Sequence, residues 1–164
     1  MENKIKVTAK AQNQLALGIA HAYALLHPEA DLEAMREAFP TDIAPDKGVE
    51  ELFLPEEEAI ARNANMSLYF AKPDQVIVLG NGERIALSQV WTRRSLDNLL
   101  NHIADIPIEA NHIESEQAKA EGIKGFRIDY LNGFNPTTAV PTKKRGFLAW
   151  LKSLFCKKNN PFII

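Results

Sequence analysis

Gln75-Val-Ile-Val-Leu79, Gly80-Asn81-Gly82-Glu83 and Arg84-Ile-Ala-Leu-Ser88 follow one another without a break, and the fold is read outward from them. The first run is rich in β-branched residues and too short for a buried helix, so it predicts a strand that is apolar on both faces. The last places Ile85 and Leu87 on one face of a second strand. Asn81-Gly82 between them favours a tight type I′ turn with positive φ at both central positions, and an antiparallel hairpin follows. Beyond Trp91, Ser95 is read as an N-cap. Leu96, Leu99, Leu100 and Ile103 then recur at helical spacing, and Pro107 forbids continuation. A hairpin alone cannot bury its apolar faces, so this helix is expected to cover one face of the sheet while other segments extend it.

Upstream, the alanine-rich stretch from Thr8 to Leu26 carries Leu15, Ile19, Ala22, Tyr23 and Leu26 at helical spacing, and His27-Pro28 ends it. Asp31 caps a short second helix, Leu32 to Phe39. Pro40 to Pro55 reads as a surface loop anchored by Val49, Leu52, Phe53 and Leu54. Pro55 and Glu56-Glu57-Glu58 mark the start of a further helix, because negative charge complements the helix dipole in the first turn. Ser67 to Ala71 reads as a strand leading into the hairpin. Ile108 to Ile113 is ambiguous, Glu114 to Glu121 is a helix closed by Gly122, and Ile123 to Leu131 alternates as a strand.

The expected architecture is therefore α+β: N-terminal helices, a small antiparallel sheet of three or four strands with a central hairpin, and a helix packed behind it. No solenoid-type repeat is present. A globular domain at 1–134, a linker at 135–142 rich in Thr and Pro, and a tail at 143–164 complete the organisation. With 164 residues, the chain has the length of one ordinary core.

Charge divides along the same boundary. Lys143, Lys144, Arg145, Lys152, Lys157 and Lys158 lie in the tail and no acid follows Asp129, so the tail carries +6 and the remainder −8. On a helical wheel Phe147, Leu148, Trp150, Leu151, Leu154 and Phe155 form one wide apolar face, with Lys152, Ser153 and Cys156 opposite and Lys144, Arg145, Lys157 and Lys158 flanking the ends. Eleven residues give a helix of about 16 Å, too short to cross a bilayer. As a type it resembles cationic amphipathic membrane-active peptides. Its apolar face has three candidate destinations: the domain's own surface, an anionic membrane surface, or a groove on a protein partner.

A second candidate site is Thr92-Arg93-Arg94-Ser95. Two hydroxyls, two guanidinium groups and the free N–H groups of a helix start are the ingredients of an anion or nucleic-acid phosphate site. The bland reading is a serine cap beside two arginines that neighbour the acids of a net acidic body.

Other chemistry finds little support. His21, His27, His102 and His112 show no metal-ligand spacing, and the lone Cys156 excludes an intrachain disulfide and a Cys-based zinc site. No cofactor or metal is expected. Glu56-Glu57-Glu58 reads as a solvated helix start, and Gly80-Asn81-Gly82 lacks the strand-to-helix context of a phosphate loop. The N-terminus has no apolar signal region, and a cytoplasmic protein, with peripheral membrane association through the tail, is expected. The favoured function is a non-catalytic binding or accessory protein attached by its C-terminal helix to a membrane surface or partner. A nucleic-acid-binding module using Arg93, Arg94 and the tail is the alternative, and a small enzyme with a site assembled from distant residues is the third reading.

Overall fold

A computed structural model describes residues 2–44 and 51–136. It is an α+β structure with two sheets of three strands each rather than one. Strand β1 (Ile5–Ala9) leads into helix α1 (Gln12–Leu26) and, after a turn, helix α2 (Leu32–Ala38). A 3₁₀ turn at Thr41–Ile43 precedes strand β2 (Phe53–Pro55), helix α3 (Glu56–Arg62), and the hairpin strands β3 (Ile77–Val78) and β4 (Arg84–Leu87). Helix α4 (Arg93–His102), strand β5 (Ile108–His112), helix α5 (Ser115–Glu121) and strand β6 (Phe126–Tyr130) follow.

The larger departure from the sequence reading is β1. Its Ile5-Lys-Val-Thr-Ala9 alternates faces at period two, and it is the central strand of the first sheet, in the order β5-β1-β6. β1 runs parallel to β5, with Val7 opposite Ala110, and antiparallel to β6, with Val7 opposite Ile128. Parallel neighbours need a long crossover, and here most of the chain supplies it.

The second sheet has the order β2-β4-β3. The hairpin is present, with Ile77 opposite Ile85, but its turn is not type I′. Gly82 has φ 92°, whereas Asn132 is the one non-glycine residue of positive φ among the described residues. Gly82 N–H donates to the Leu79 carbonyl at 2.9 Å and Leu79 N–H to that of Glu83 at 2.8 Å, a three-residue loop closed by a left-handed glycine. Asn81 contributes through its side chain, accepting from Glu83 N–H at 2.9 Å. The third strand is β2, inside the stretch read as a loop, where Leu52, Phe53 and Leu54 are all buried. Residues Ser67 to Ala71 make a single bridge, Tyr69 to Ser88, instead of a strand.

Helix α1 joins the two halves. It packs on β1, β5 and β6 and also touches β3 and α4, and residues 15–20 are buried without interruption. That burial is affordable because the run is Leu-Ala-Leu-Gly-Ile-Ala, whose small residues let neighbours approach from several directions. α4 places Leu96 and Leu99, and the 3₁₀ turn after it Ile103, in one core with α1, the 41–43 turn and the buried residues of the hairpin sheet, Leu99 lining a small cavity with Phe53 and Leu87. Asn98 Nδ2 fastens it to the Ile43 carbonyl at 2.9 Å. Asp31 caps α2 as expected, accepting from Ala34 N–H at 2.8 Å, and Gly122 ends α5 at φ 70°. At the C-terminal end of the described chain, Phe134 packs on the core and Leu131 N–H donates to the Lys4 carbonyl at 2.8 Å.

Candidate functional site

Thr92, Arg93, Arg94 and Ser95 come together at the first turn of α4. The cap is Thr92, and Ser95, the N-cap expected from the sequence, stands three residues into the helix at N3. Ser95 N–H donates to Thr92 Oγ1 at 3.1 Å and Thr92 N–H donates to Ser95 Oγ at 2.8 Å, a reciprocal capping box. Both hydroxyls are thereby engaged within the turn, and Ser95 is buried. Arg93 is exposed, with Nε 3.7 Å from Asp97 Oδ1 one turn along, and Arg94 is exposed beside it. An anion arriving here would meet guanidinium groups on a surface, with the hydroxyls already committed to the helix.

The histidines serve the scaffold. His21 Nε2 lies 3.0 Å from the Gln75 carbonyl, and its ring stands 5.1 Å from that of Phe126. Burial pushes its pKa below the ordinary value, a lowering that the hydrogen bond to Gln75 partly offsets. A carbonyl only accepts, so Nε2 carries the proton. His102 bonds the Ala38 carbonyl, His112 that of Lys10 at 2.7 Å, and His27 Nδ1 is 3.2 Å from Glu29 Oε2. Among the described residues no group of three or more His, Cys, Asp or Glu side chains is arranged to hold a metal ion. Of the three glutamates opening α3, Glu56 is held by Arg84 at 2.7 Å, and this hydrogen bond lowers its carboxylate pKa.

Two open clefts flank residue 75. One of about 300 Å³ runs along Asn63, Tyr69, Gln75 and Gln89. Its wall is built by Asn63, whose Oδ1 accepts from Leu68 N–H at 2.8 Å and Tyr69 N–H at 2.9 Å while Nδ2 donates to the Tyr69 carbonyl at 2.9 Å. The other, of about 320 Å³, lies between Gln14 and Leu17 of α1, Asp74 and Gln75, and Lys124 to Phe126. The side chains of the second cleft are separated by as much as 112 positions, from Gln14 to Phe126, so no spacing rule applied to the sequence finds them.

The tail residues Lys144, Arg145, Phe147, Leu148, Trp150, Leu151, Lys152, Leu154, Phe155, Lys157 and Lys158 lie outside the described residues. Among the described residues no helix is long and apolar enough to cross a membrane. No family model, curated protein or solved structure matches the chain significantly.

Proposed function

We propose that this is a non-catalytic binding or accessory protein whose acidic α+β domain is brought to an anionic membrane surface by its basic, amphipathic C-terminal segment. The observation that carries this reading is the charge division, −8 for residues up to 142 against +6 beyond them, combined with an aromatic and leucine face at helical spacing in the basic part. Lysines near an anionic surface contribute roughly 1 kcal/mol each, and apolar side chains at the headgroup boundary supply the rest. The acidic domain is repelled by the same surface, which orients the molecule tail-first. A further support is the placement of exposed large apolar side chains among the described residues. Ile60, Met66, Val78 and Tyr130 are spread over α3, the loop after it, β3 and β6, a poor match for one wide apolar helix face.

The test is co-sedimentation of the full chain with vesicles of phosphatidylserine and phosphatidylcholine, against phosphatidylcholine alone. Binding to the anionic vesicles is expected, weakened by salt and abolished by deleting residues 143–164 or by changing Trp150 and Leu154 to glutamate. The deletion is expected to leave the melting temperature nearly unchanged. A large fall in melting temperature with no vesicle binding would make the tail a structural helix. Vesicle binding absent with stability unchanged would turn the reading towards a protein groove.

A further inference from the structure

The β6 edge of the first sheet carries a symmetric pattern. β6 reads Phe126-Arg127-Ile128-Asp129-Tyr130, in which aromatic, positive, apolar, negative and aromatic residues are mirrored about Ile128. Among the described residues it pairs with β1 alone. The orientation of its backbone follows from the ladder. Leu131 N–H donates to the Lys4 carbonyl, so residues 129 and 127, two and four positions back, also face β1. The amides and carbonyls of Phe126, Ile128 and Tyr130 therefore point outward.

We propose that this edge is the interface of a two-fold homodimer, in which β6 pairs antiparallel with the partner's β6 about Ile128. That register makes Ile128 with the partner's Ile128, and Phe126 with the partner's Tyr130, doubly hydrogen-bonded pairs. Arg127 then stands opposite the partner's Asp129, and Asp129 opposite the partner's Arg127, at the closer non-hydrogen-bonded positions where cross-strand ion pairs form best. Charges on an edge strand usually keep other strands away. Here the two charges are opposite in sign and equidistant from the centre, so in this one register each strand charge faces its opposite, and Arg127, which within the chain holds Glu121 at 3.0 Å and Asp129 at 3.1 Å, is shared with the partner's Asp129.

The row continues inward. Glu109 of β5 lies beside Lys6 of β1, and Lys6 beside Asp129 of β6, so the partner's Arg127 adds a fourth alternating charge to this row, which ends there because Arg127 itself neighbours Thr8 in β1. The other face fits too. Tyr130 is 50% exposed, and the two-fold sets it next to the partner's Phe126, at the cleft that Gln14, Leu17 and Lys124 help to line. Three strand spacings of 4.7–4.9 Å separate β1 from its copy by about 14 Å, which leaves room for two α1 helices that need 8–10 Å. The interface is independent of what the tail attaches to.

Sedimentation velocity of the full chain from roughly 1 to 200 µM should show a monomer–dimer equilibrium. Arg127→Asp and Asp129→Arg should each be monomeric, because each sets like charges opposite one another. An equimolar mixture of the two should associate again, since one then carries two acids and the other two arginines. Tyr130→Ala should weaken dimerisation roughly tenfold, as an interface aromatic does. Melting curves confirm that each variant is folded. Hydrogen exchange should show concentration-dependent protection at Phe126, Ile128 and Tyr130. A wild type monomeric throughout, single variants that still dimerise, a mixture that fails to associate, or protection independent of concentration would each overturn the proposal.

Discussion

Gly18 of α1 faces Val7 of β1 with no room for a methyl group: a β-carbon on Gly18 would lie 2.4 Å from Val7 Cγ1 and 3.0 Å from Phe126 Cδ2. Alanine gains about 1 kcal/mol in helix propensity over glycine, but overpacking a core costs about 1–3 kcal/mol. Val7 is fully buried and branched at Cβ, so it has little freedom to give way. Gly18→Ala is therefore expected to lower stability by about 1 kcal/mol, and Val7→Ala in the same chain to relieve part of the clash. Denaturant unfolding of both single variants and the double variant measures the coupling. A Gly18→Ala protein at least as stable as the wild type would contradict the close packing.

Asn63 holds the 63–69 loop through one acceptor oxygen shared by two amides and one donor to the Tyr69 carbonyl. Asn63→Ala leaves the partly buried amides of Leu68 and Tyr69 without that acceptor, at a cost of about 1–3 kcal/mol. Asn63→Asp keeps the acceptor and should recover part of it. Thermal unfolding compares the three proteins, and equal melting of wild type and alanine variant would show that the loop is held by other contacts.

Leu99 and Leu100 sit side by side in α4 and separate cleanly. Leu99 is 2% exposed in the core and Leu100 only partly buried against it. Truncating Leu99 to alanine should cost about 2–5 kcal/mol, and truncating Leu100 clearly less. The sequence pattern alone treats the two alike. Equal losses in urea unfolding would mean that the helix is rotated about its axis.

His21 makes stability depend on pH. Burial lowers its folded pKa below the unfolded value of 6.5, so the unfolded chain binds the extra proton first as the solution is acidified. Its contribution is complete above pH 6.5 and is lost progressively below, until the lowered folded pKa is passed. His21→Gln keeps a donor for the Gln75 carbonyl and cannot titrate. Its loss of stability from pH 7 to 5 should be shallower than that of the wild type, while the lower window set by Glu56 and Glu121, both depressed by hydrogen bonds, remains. Parallel stability profiles would remove His21 as the cause.

Changing both Arg93 and Arg94 to glutamine should leave attachment to anionic vesicles unchanged, because the capping box spends the Thr92 and Ser95 hydroxyls on the helix itself. Loss of vesicle binding would move the membrane site onto α4. Salt-dependent duplex DNA binding by the wild type that these substitutions abolish would favour a phosphate-binding role instead.

Much of the local structure was legible in the residues. α1, α2, α4, α5 and the hairpin carry their periodicity, caps and breakers within a few positions, and the α+β class follows from them. The helix start at Thr92–Ser95 is legible in the sequence, but which hydroxyl caps it is not, since Thr92 and Ser95 are both good N-caps and only geometry distinguishes cap from N3. In the sequence the β6 pattern reads as alternation and no more. Its mirror symmetry gains meaning only in a sheet where, among the described residues, β6 pairs with β1 alone.

Periodicity by itself determined which face of each segment is apolar, because that is a property of a few neighbouring residues and the 3.6- or two-residue repeat of the backbone. Partnership was decided by tertiary structure. Ile5–Ala9 looks like the approach to a helix, yet it became the centre of a sheet because β5 and β6, about a hundred residues away in sequence, pair with its two edges while α1 covers the face of Ile5, Val7 and Ala9. Hydrogen-bonding edges carry no side-chain signature of the strand that will satisfy them, so the division into two sheets, and the place of β6 at the outside of one of them among the described residues, exist only in the assembled fold.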